Sequence, residues 1–169
     1  IRAGVGAVCV SEMAHEPLYR GVVSGGLHAI SCFNDLRLEV IMRALITGGS
    51  KRLGREMSLY LAKRGYDVAV HYNSSATQAQ EVVDEICSTG RKSIALRANI
   101  LQEDQVDALV TLASEGLGGP ITVLVNNASI FEYDNIRSAT RVSWDRHLES
   151  NLRAPFVLTQ KFAEQIPEP

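Results

Sequence analysis

Four short polar segments carry the residues that could do chemistry. They are the glycine-bearing turn Thr47-Gly-Gly-Ser-Lys-Arg-Leu-Gly54, the stretch His71-Tyr-Asn-Ser-Ser75, the stretch Asn126-Asn-Ala-Ser129, and Asn151. A glycine turn followed directly by a helix presents backbone N–H groups and the positive end of the helix dipole to an anion. The pattern therefore predicts a site for a phosphorylated ligand, with the later polar segments around it.

The elements that position these segments alternate between strand and helix. Apolar runs predict strands at residues 43–47, 67–72, 92–97 and 121–125, and helical periodicity predicts helices at 53–64, 76–88, 102–115, 143–151 and 155–165. Repeated β–α units with short connections favour an α/β fold with a doubly wound parallel sheet of the Rossmann type. Residues 121–125 are apolar apart from Thr122, and a nearly continuous apolar run is typical of a strand buried on both faces. The first helix has Leu53, Met57, Tyr60 and Leu61 on its apolar face.

The composition excludes several classes of protein. The chain has 169 residues, of which 46% are hydrophobic and 21% charged, and its net charge is −2. This balance is typical of one globular domain and gives no electrostatic reason to bind nucleic acid or a membrane surface. No apolar run approaches the roughly 20 residues that span a bilayer. Cys9, Cys32 and Cys87 are odd in number and lack C-x-x-C spacing, which indicates free thiols in a cytoplasmic protein and no metal site.

The first 41 residues differ from the rest. They contain several glycines and show no clear helical or strand period. One interpretation is a non-native or disordered extension, such as translated upstream sequence or a fusion scar, and the other is a genuine, loosely packed extension. We expect the first, with a domain that spans residues 42–169.

The turn and the asparagine segments carry a family resemblance. Thr-Gly-x-x-x-Gly-x-Gly is the turn of short-chain dehydrogenases/reductases, and this chain matches it except that Arg52 replaces the middle glycine. With Asn126-Asn-Ala-Ser129 and Asn151, residues 42–169 resemble the N-terminal half of that family. The resemblance implies a Rossmann domain truncated at its C-terminal side, in a parent protein that is a homodimer or homotetramer.

Three departures from the usual family pattern resemble the pteridine reductases. In that branch an arginine at the position of Arg52 faces the substrate and the phosphates, and a serine at the position of Ser129 touches the pterin and the cofactor. A ring at the position of Phe131 stacks on the pterin, as suits a flat heterocycle. Arg52, Ser129 and Phe131 are therefore the predicted substrate residues. The alternatives are that Arg52 is a solvated residue of the first helical turn and that Phe131 packs in the core.

The end of the second strand indicates which dinucleotide is bound. An acidic residue there would bind an NAD ribose and repel a 2′-phosphate, but His71, Ser74 and Ser75 can donate hydrogen bonds to phosphate oxygens instead. Lys51 or Arg52 supplies a cation, so NADP(H) is the predicted cofactor. The alternative is that His71 is a partly buried strand-end residue without a ligand. The predicted cofactor-binding residues are Thr47, Gly48, Lys51, Arg52, Leu53, Gly54, His71, Ser74, Ser75, Asn99, Ile100, Asn126, Ala128 and Ser129.

Asn99 and Ile100 enter that set because they end the third strand. The family usually has an aspartate at the position of Asn99 that holds adenine, and an asparagine keeps the carbonyl acceptor.

Asn151 matches the catalytic asparagine of the family, whose backbone carbonyl and a bound water extend a proton relay to a lysine. The alternative is an unremarkable helical asparagine. The family also needs a tyrosine as general acid and a lysine four residues later, and no Tyr-x-x-x-Lys follows Asn151 in this chain. The segment from Tyr133 to Arg137 has a similar spacing, but it lies in the loop after the fourth strand.

The resemblance therefore implies an NADPH-dependent oxidoreductase that transfers hydride to a pterin-like or other small carbonyl or imine substrate. A 3-oxoacyl-carrier-protein reductase or a general carbonyl reductase is the alternative within the family. The alternative of another class is a non-catalytic nucleotide-binding fragment, and we expect the chain as given to be inactive. A small-molecule substrate is the expected partner.

Overall fold

The computed structural model describes residues 41–165. In chain order the elements are β1 (Arg43–Ile46), α1 (Arg52–Ala62), β2 (Asp67–Tyr72), α2 (Ala76–Ser88), β3 (Ser93–Arg97), α3 (Glu103–Leu117), β4 (Val123–Val125), α4 (Arg141–Leu148), a π-helical segment (Glu149–Arg153) and α5 (Ala154–Ala163). The expectation of a non-native extension at residues 1–41 lies outside the described residues, apart from Ile41. None of the described helices combines the length and the apolar character needed to cross a membrane.

The strands form one parallel sheet in the order β3-β2-β1-β4. Because the side chains of successive residues in a strand point to opposite faces of the sheet, β1 and β2 contribute residues to two separate hydrophobic cores. Leu45 and Ala69 pack beneath α3 and α5, whereas Ile46, Val68 and Val70 pack beneath α1 and α2. The predicted doubly wound α/β sheet is confirmed.

The fourth strand departs from the prediction. It is shorter than residues 121–125, and all three of its residues are half-buried, so the predicted burial on both faces is wrong. The physical reason is its place in the sheet, because β4 pairs with β1 on one side and is an edge strand among the described residues. The apolar run identified a strand correctly but could not show that it lies at an edge.

The buried face of α1 also departs from the prediction. Gly54, Ser58 and Ala62, spaced four residues apart, face the sheet. Small side chains at these positions bring the helix close to β1, which turns Leu53 and Tyr60 outward, with 62% and 54% of their surfaces exposed. The predicted apolar face is therefore wrong for Leu53 and Tyr60, whereas Met57 and Leu61 are half-buried and Leu61 packs against the core.

The last two predicted helices form one continuous helical rod. Residues 143–151 and 155–165 were predicted as separate helices, but α4 runs through the π-helical segment into α5 without a break. Pro155 is the second residue of α5, a position that tolerates proline because the N–H groups of a first turn have few partners. The helix departs from α-helical geometry in the π-helical segment just before this proline, and such segments are frequent at functional sites.

Candidate functional site

A cavity of about 410 Å³ opens at the carboxyl ends of the strands. It lies where the sheet continues from β1 to β2 on one side and to β4 on the other, which is where ligands bind in open α/β sheets. The lining residues come from the turn after β1 and from the ends of β2, β3 and β4: Gly48, Ser50, Lys51, Arg52, Leu53, Gly54, His71, Asn73, Asn99, Ile100, Asn127, Ala128, Ser129 and Ile130.

The start of α1 presents unsatisfied donors to this cavity. Arg55 is the first residue of α1 whose amide makes a hydrogen bond, and it donates to the Lys51 carbonyl at 3.2 Å. The amides of Arg52, Leu53 and Gly54 precede it and have no acceptor among residues 41–165. All three residues line the cavity. Free amides at the positive end of a helix dipole make an anion site.

The charges around the cavity also favour an anionic ligand. Lys51 and Arg52 are exposed at its wall, and no Asp or Glu is among its lining residues. Such a wall attracts phosphate groups and offers no carboxylate to repel them. Arg52 is exposed and is the first residue of α1, so its position fits both the predicted ligand contact and the alternative of a solvated residue of the first helical turn.

Arg52 adopts a backbone conformation that ordinarily suits glycine. Its φ of +49° is the one positive value of a non-glycine residue among residues 41–165. The left-handed region costs an L-residue about 1–2 kcal/mol. Strain of this kind tends to lie at functional sites, and here it brings a guanidinium to the wall of the cavity in place of the usual glycine.

Gly54 has a different reason to be glycine. A Cβ at this position would collide with the carbonyl oxygen of Gly48 and lie 2.7 Å from Asn127 Nδ2. The missing side chain therefore lets α1 start directly against the turn.

His71 does not act as predicted. The side chain is 2% exposed, and Nδ1 accepts a hydrogen bond from the Gly48 amide at 3.0 Å. Because Nδ1 is an acceptor, the proton lies on Nε2, which donates to the Ala98 carbonyl at 3.0 Å. Burial lowers the pKa of this imidazole below its usual value, and the bond to Ala98 opposes that shift. Both ring nitrogens are hydrogen-bonded to backbone groups of the protein, so the predicted donation to a phosphate is wrong. The alternative of a buried residue without a ligand describes the ring better.

Thr47 and Asn127 hold the turn from the β4 side. The Thr47 hydroxyl accepts hydrogen bonds from the amides of Asn127 and Ala128 at 2.9 and 3.0 Å. Asn127 Nδ2 donates to the carbonyls of Thr47 and Gly48 at 2.9 and 3.2 Å. Thr47 is buried and lies outside the cavity lining, so it positions the turn. Asn126 also lies outside, and its Nδ2 contacts the Thr159 hydroxyl at 3.4 Å.

The predicted and observed linings overlap in large part. Ten of the predicted cofactor-binding residues line the cavity: Gly48, Lys51, Arg52, Leu53, Gly54, His71, Asn99, Ile100, Ala128 and Ser129. Four others, Thr47, Ser74, Ser75 and Asn126, lie outside its lining. Sequence reasoning missed Ser50, Asn73, Asn127 and Ile130, although each is a direct neighbour of a predicted residue and could have been found from that adjacency.

Asn99 reaches the cavity from the end of β3. Its Oδ1 accepts a hydrogen bond from the Leu101 amide at 3.1 Å, and its own amide donates to Gln105 Oε1 at 2.7 Å. A carbonyl oxygen has two lone pairs, so Oδ1 keeps one for the predicted contact with a ligand.

The residues predicted to contact the substrate separate into two groups. Arg52 and Ser129 line the cavity, whereas Phe131 lies outside its lining, in the loop after β4. The Phe131 side chain is 85% exposed, so the alternative that it packs in the core is wrong. The next residue of this loop, Glu132, donates its amide to His147 Nε2 at 3.0 Å, which fixes the loop against α4.

Asn151 ties the helical rod to the same loop. Its Nδ2 donates to the Ile130 carbonyl at 2.9 Å, and its Oδ1 accepts from the Ile130 amide at 2.9 Å and from the Ser150 hydroxyl at 2.5 Å. The side chain is thus engaged in positioning. In an α-helix the Asn151 carbonyl would accept from residue 155, but Pro155 has no N–H. The Asn151 backbone carbonyl therefore lacks that donor. This agrees with the predicted proton relay, which uses the backbone carbonyl and not the side chain.

A family model described as short chain dehydrogenase matches residues 42–168. The chain belongs to the short-chain dehydrogenase family. A 3-oxoacyl-[acyl-carrier-protein] reductase FabG from Staphylococcus aureus is 36% identical to this short-chain dehydrogenase over 129 residues, which are 76% of the chain and 52% of the relative. The chain thus spans about half the length of the curated relatives it matches.

Solved structures give the same family. A short chain dehydrogenase from Burkholderia cenocepacia in complex with NADP is 38% identical, with a TM-score of 0.72, and the match covers 75% of this chain and 51% of that one. FolM alternative dihydrofolate reductase 1 from Brucella suis in complex with NADP is 33% identical, with a TM-score of 0.71, and the match covers 75% and 52%. This short-chain dehydrogenase therefore shares the sheet and the turn with proteins of related sequence.

Proposed function

We propose that residues 42–169 are the N-terminal, nucleotide-binding part of an NADPH-dependent reductase. The observation that carries the proposal is the acid-free cavity against the free amides of Arg52, Leu53 and Gly54. These amides suit a pyrophosphate, and the cavity lies at the sheet position where dinucleotides bind. Two solved relatives of at least 33% identity are described as complexes with NADP, which supports the same cofactor here.

Selection of NADP(H) over NAD(H) follows from the charges. An NAD-binding site would place an acid beyond β2, where this chain has Asn73, Ser74 and Ser75. Ser75 precedes α2 and makes no side-chain capping bond, so its hydroxyl keeps a donor for a 2′-phosphate. Lys51 and Arg52 supply the positive charge.

Paired titrations test this cofactor assignment. The 169-residue chain is titrated with NADP⁺ and NAD⁺ by calorimetry, alongside a double variant Lys51→Gln/Arg52→Gln and the control Lys63→Gln, an exposed lysine beyond the end of α1. We expect the double variant to lose roughly tenfold to hundredfold in NADP⁺ affinity, since the loss of one charge-assisted bond costs about 1.5–3 kcal/mol, and to change little toward NAD⁺. Equal losses for both dinucleotides would contradict the assignment, as would an equal effect of the control.

For the substrate we propose a pterin-like ring. Arg52 and Ser129 share the cavity wall, and the exposed Phe131 ring lies one residue beyond the last lining residue, free to stack on a flat heterocycle. One solved relative is named as an alternative dihydrofolate reductase, and dihydrofolate contains a reduced pterin. A 3-oxoacyl thioester is the second candidate, because the 36% identical curated relative is named as a reductase of that class.

Binding titrations with both ligands distinguish the two candidate substrates. With NADP⁺ present, dihydrofolate and acetoacetyl-pantetheine are titrated against the chain and against Phe131→Ala. A pterin site predicts that Phe131→Ala weakens dihydrofolate binding by roughly tenfold and leaves NADP⁺ binding unchanged. Preferential binding of the thioester, or equal loss of both ligands' affinity, would favour the second candidate.

We propose that the chain as given binds the cofactor without turning it over, because no Tyr-x-x-x-Lys follows Asn151 in its sequence. In the family this pair supplies and tunes the proton for the substrate. An NADPH oxidation assay with dihydrofolate tests it, and measurable turnover by the 169-residue chain would refute it. The predicted cytoplasmic location stays a prediction.

We also propose that the parent protein is a homodimer or homotetramer that associates through the helical rod. Trp144, Leu148, Leu152 and Phe156 recur every four residues along it and are 41–64% exposed. Side chains at this spacing share one helix face, and a contiguous exposed apolar stripe is typical of an interaction surface. Sedimentation velocity on the wild-type chain and on Leu152→Glu/Phe156→Glu tests it. Loss of self-association is expected, and a wild type that is monomeric at every concentration would count against this surface.

A further inference from the structure

His71 is joined to the glycine turn twice. Its side chain accepts from the Gly48 amide at 3.0 Å, and its backbone carbonyl accepts from the Gly49 amide at 2.9 Å. Two successive amides of the turn are thus directed into the protein. The amides of Arg52, Leu53 and Gly54, at the start of α1, have no acceptor among residues 41–165, and these three residues line the cavity.

The same ring is joined to the end of β3. Nε2 donates to the Ala98 carbonyl at 3.0 Å, one residue before Asn99, which lines the opposite part of the cavity wall. One buried imidazole therefore connects the turn after β1 with the segment after β3. A neutral imidazole can do this because it offers one acceptor and one donor on opposite sides of a rigid ring.

We infer that His71 is a positioning residue for the dinucleotide, acting as a strut that sets the distance between the glycine turn and the Asn99 segment. The inference rests on the proposed function for its ligand, and on the two ring bonds and the burial of the ring for its mechanism. It replaces direct phosphate contact by His71 with an indirect role. Loss of the Nδ1 acceptor frees the Gly48 amide to rotate and displaces the turn that carries the phosphate donors.

Two substitutions separate the two bonds. Asparagine places its amide oxygen near the position of Nδ1, so His71→Asn keeps an acceptor for Gly48 and loses the bond to Ala98. Glutamine reaches the position of Nε2, so His71→Gln keeps a donor for Ala98 and loses the acceptor for Gly48. Ser93→Ala is the control, since Ser93 is fully buried on β3, donates to the Val68 carbonyl at 2.8 Å, and makes no bond to the turn.

The measurements are NADP⁺ affinity by calorimetry, the midpoint of urea unfolding, and hydrogen exchange of the Gly48 amide in the ligand-free chain. We expect His71→Gln to lose roughly tenfold in affinity and the exchange protection of Gly48. His71→Asn should restore both to within about threefold of the wild-type values, and Ser93→Ala should lower the unfolding midpoint without changing affinity.

Equal affinity losses in both His71 variants, in step with their unfolding midpoints, would reduce His71 to a structural residue and overturn the inference. So would unchanged Gly48 exchange in His71→Gln. A wild-type chain that binds no NADP⁺ would instead refute the proposed function and the ligand named here. In that case the exchange data alone would still show whether the strut holds the turn.

Discussion

The two sides of the sheet are built differently. On the side of β1, β2 and α2, apolar side chains such as Ile46, Val70 and Ile86 are fully buried. On the side of β4 and the helical rod, the strand is half-buried, and Phe131 and Phe156 are 85% and 61% exposed. The first side is complete within residues 41–165, whereas the second presents apolar surface outward. The comparison teaches that the proposed nucleotide-binding side is packed by the described residues themselves, while the side of β4 and the helical rod leaves apolar surface open to further contacts.

Hydrogen bonding shows the same difference. In the turn region, His71, Thr47 and Asn127 place buried donors and acceptors in pairs, which leaves free only the amides that face the cavity. On the other side, the loop after β4 is held at separate points, by Asn151 and by His147, while its aromatic side chains extend into solvent. The turn is thus held by bonds from three side chains, whereas the loop after β4 is held at two separate points.

The largest expected effect comes from filling the contact at Gly54. Gly54→Ala adds a Cβ that collides with the Gly48 carbonyl, so α1 must move away from the turn. We expect the free energy of unfolding to fall by about 3 kcal/mol and NADP⁺ binding to disappear. Urea unfolding and calorimetry measure the two quantities. Gly118→Asn is the control, since Gly118 has a positive φ of +82°, a conformation that asparagine tolerates, and a Cβ there would make only an ordinary contact of 3.6 Å with Lys92 Nζ. Comparable losses in both variants would contradict the special role of Gly54.

A matched pair of truncations tests the contrast between the two sides directly. Ile86 is fully buried beneath the sheet, so Ile86→Ala should lower the free energy of unfolding by about 3 kcal/mol. Phe156 is 61% exposed, so Phe156→Ala should lower it by less than about 1 kcal/mol although the side chain is larger. Urea titration of dilute, monomeric protein makes the comparison. A larger loss for Phe156→Ala would mean that the helical rod is covered in solution and the contrast is wrong.

The fold was more predictable than the details of the site, and particular residues show why. The order of strands and helices follows from local periodicity and glycine placement, and β2 and α2 were predicted with their observed bounds. The role of His71 depends on Gly48 and Ala98, which are 23 and 27 residues away in sequence. No local pattern encodes these contacts. The face of α1 depends likewise on how closely Gly54 approaches the turn, and the burial of β4 depends on whether a strand pairs with its outer edge.

Arg52 should show opposite effects on stability and on binding. Arg52→Gly relieves a left-handed conformation, so the free energy of unfolding should rise by up to about 1 kcal/mol. The same change removes a guanidinium from the cavity wall, so NADP⁺ affinity should fall by roughly tenfold. Glu56→Gly in the same helix is the control, because its ordinary helical position should lose about 1 kcal/mol of stability and no affinity. A joint loss of stability and affinity in Arg52→Gly would show that the arginine is not strained.

The smallest expected effect is on the pH dependence of stability, and it arises from the buried His71 ring. Burial lowers the pKa of His71 in the folded chain, whereas in the unfolded chain it lies near 6.5. Between these two values the unfolded state binds a proton that the folded state does not. The contribution of His71 is therefore fully present above pH 6.5 and is lost as the pH falls below 6.5 toward the folded-state pKa, with a slope of at most about 1.4 kcal/mol per pH unit.

Comparison with His71→Asn isolates this effect, since the two proteins differ at no other position. The surrounding elements carry other charged and titratable side chains: Arg43 on β1, Lys51 in the turn, Arg52, Arg55, Glu56 and Tyr60 on α1, Asp67 and Tyr72 on β2, Arg97 on β3, and Glu103, Asp104, Asp107 and Glu115 on α3. Of these, Lys51 and Arg52 line the same cavity as the ring. Urea unfolding at half-unit steps from pH 7.5 to 5.0 should show the wild type losing more stability than the variant below pH 6.5. Parallel curves would mean that His71 titrates alike in both states, and that the ring is not held as a neutral strut between Gly48 and Ala98.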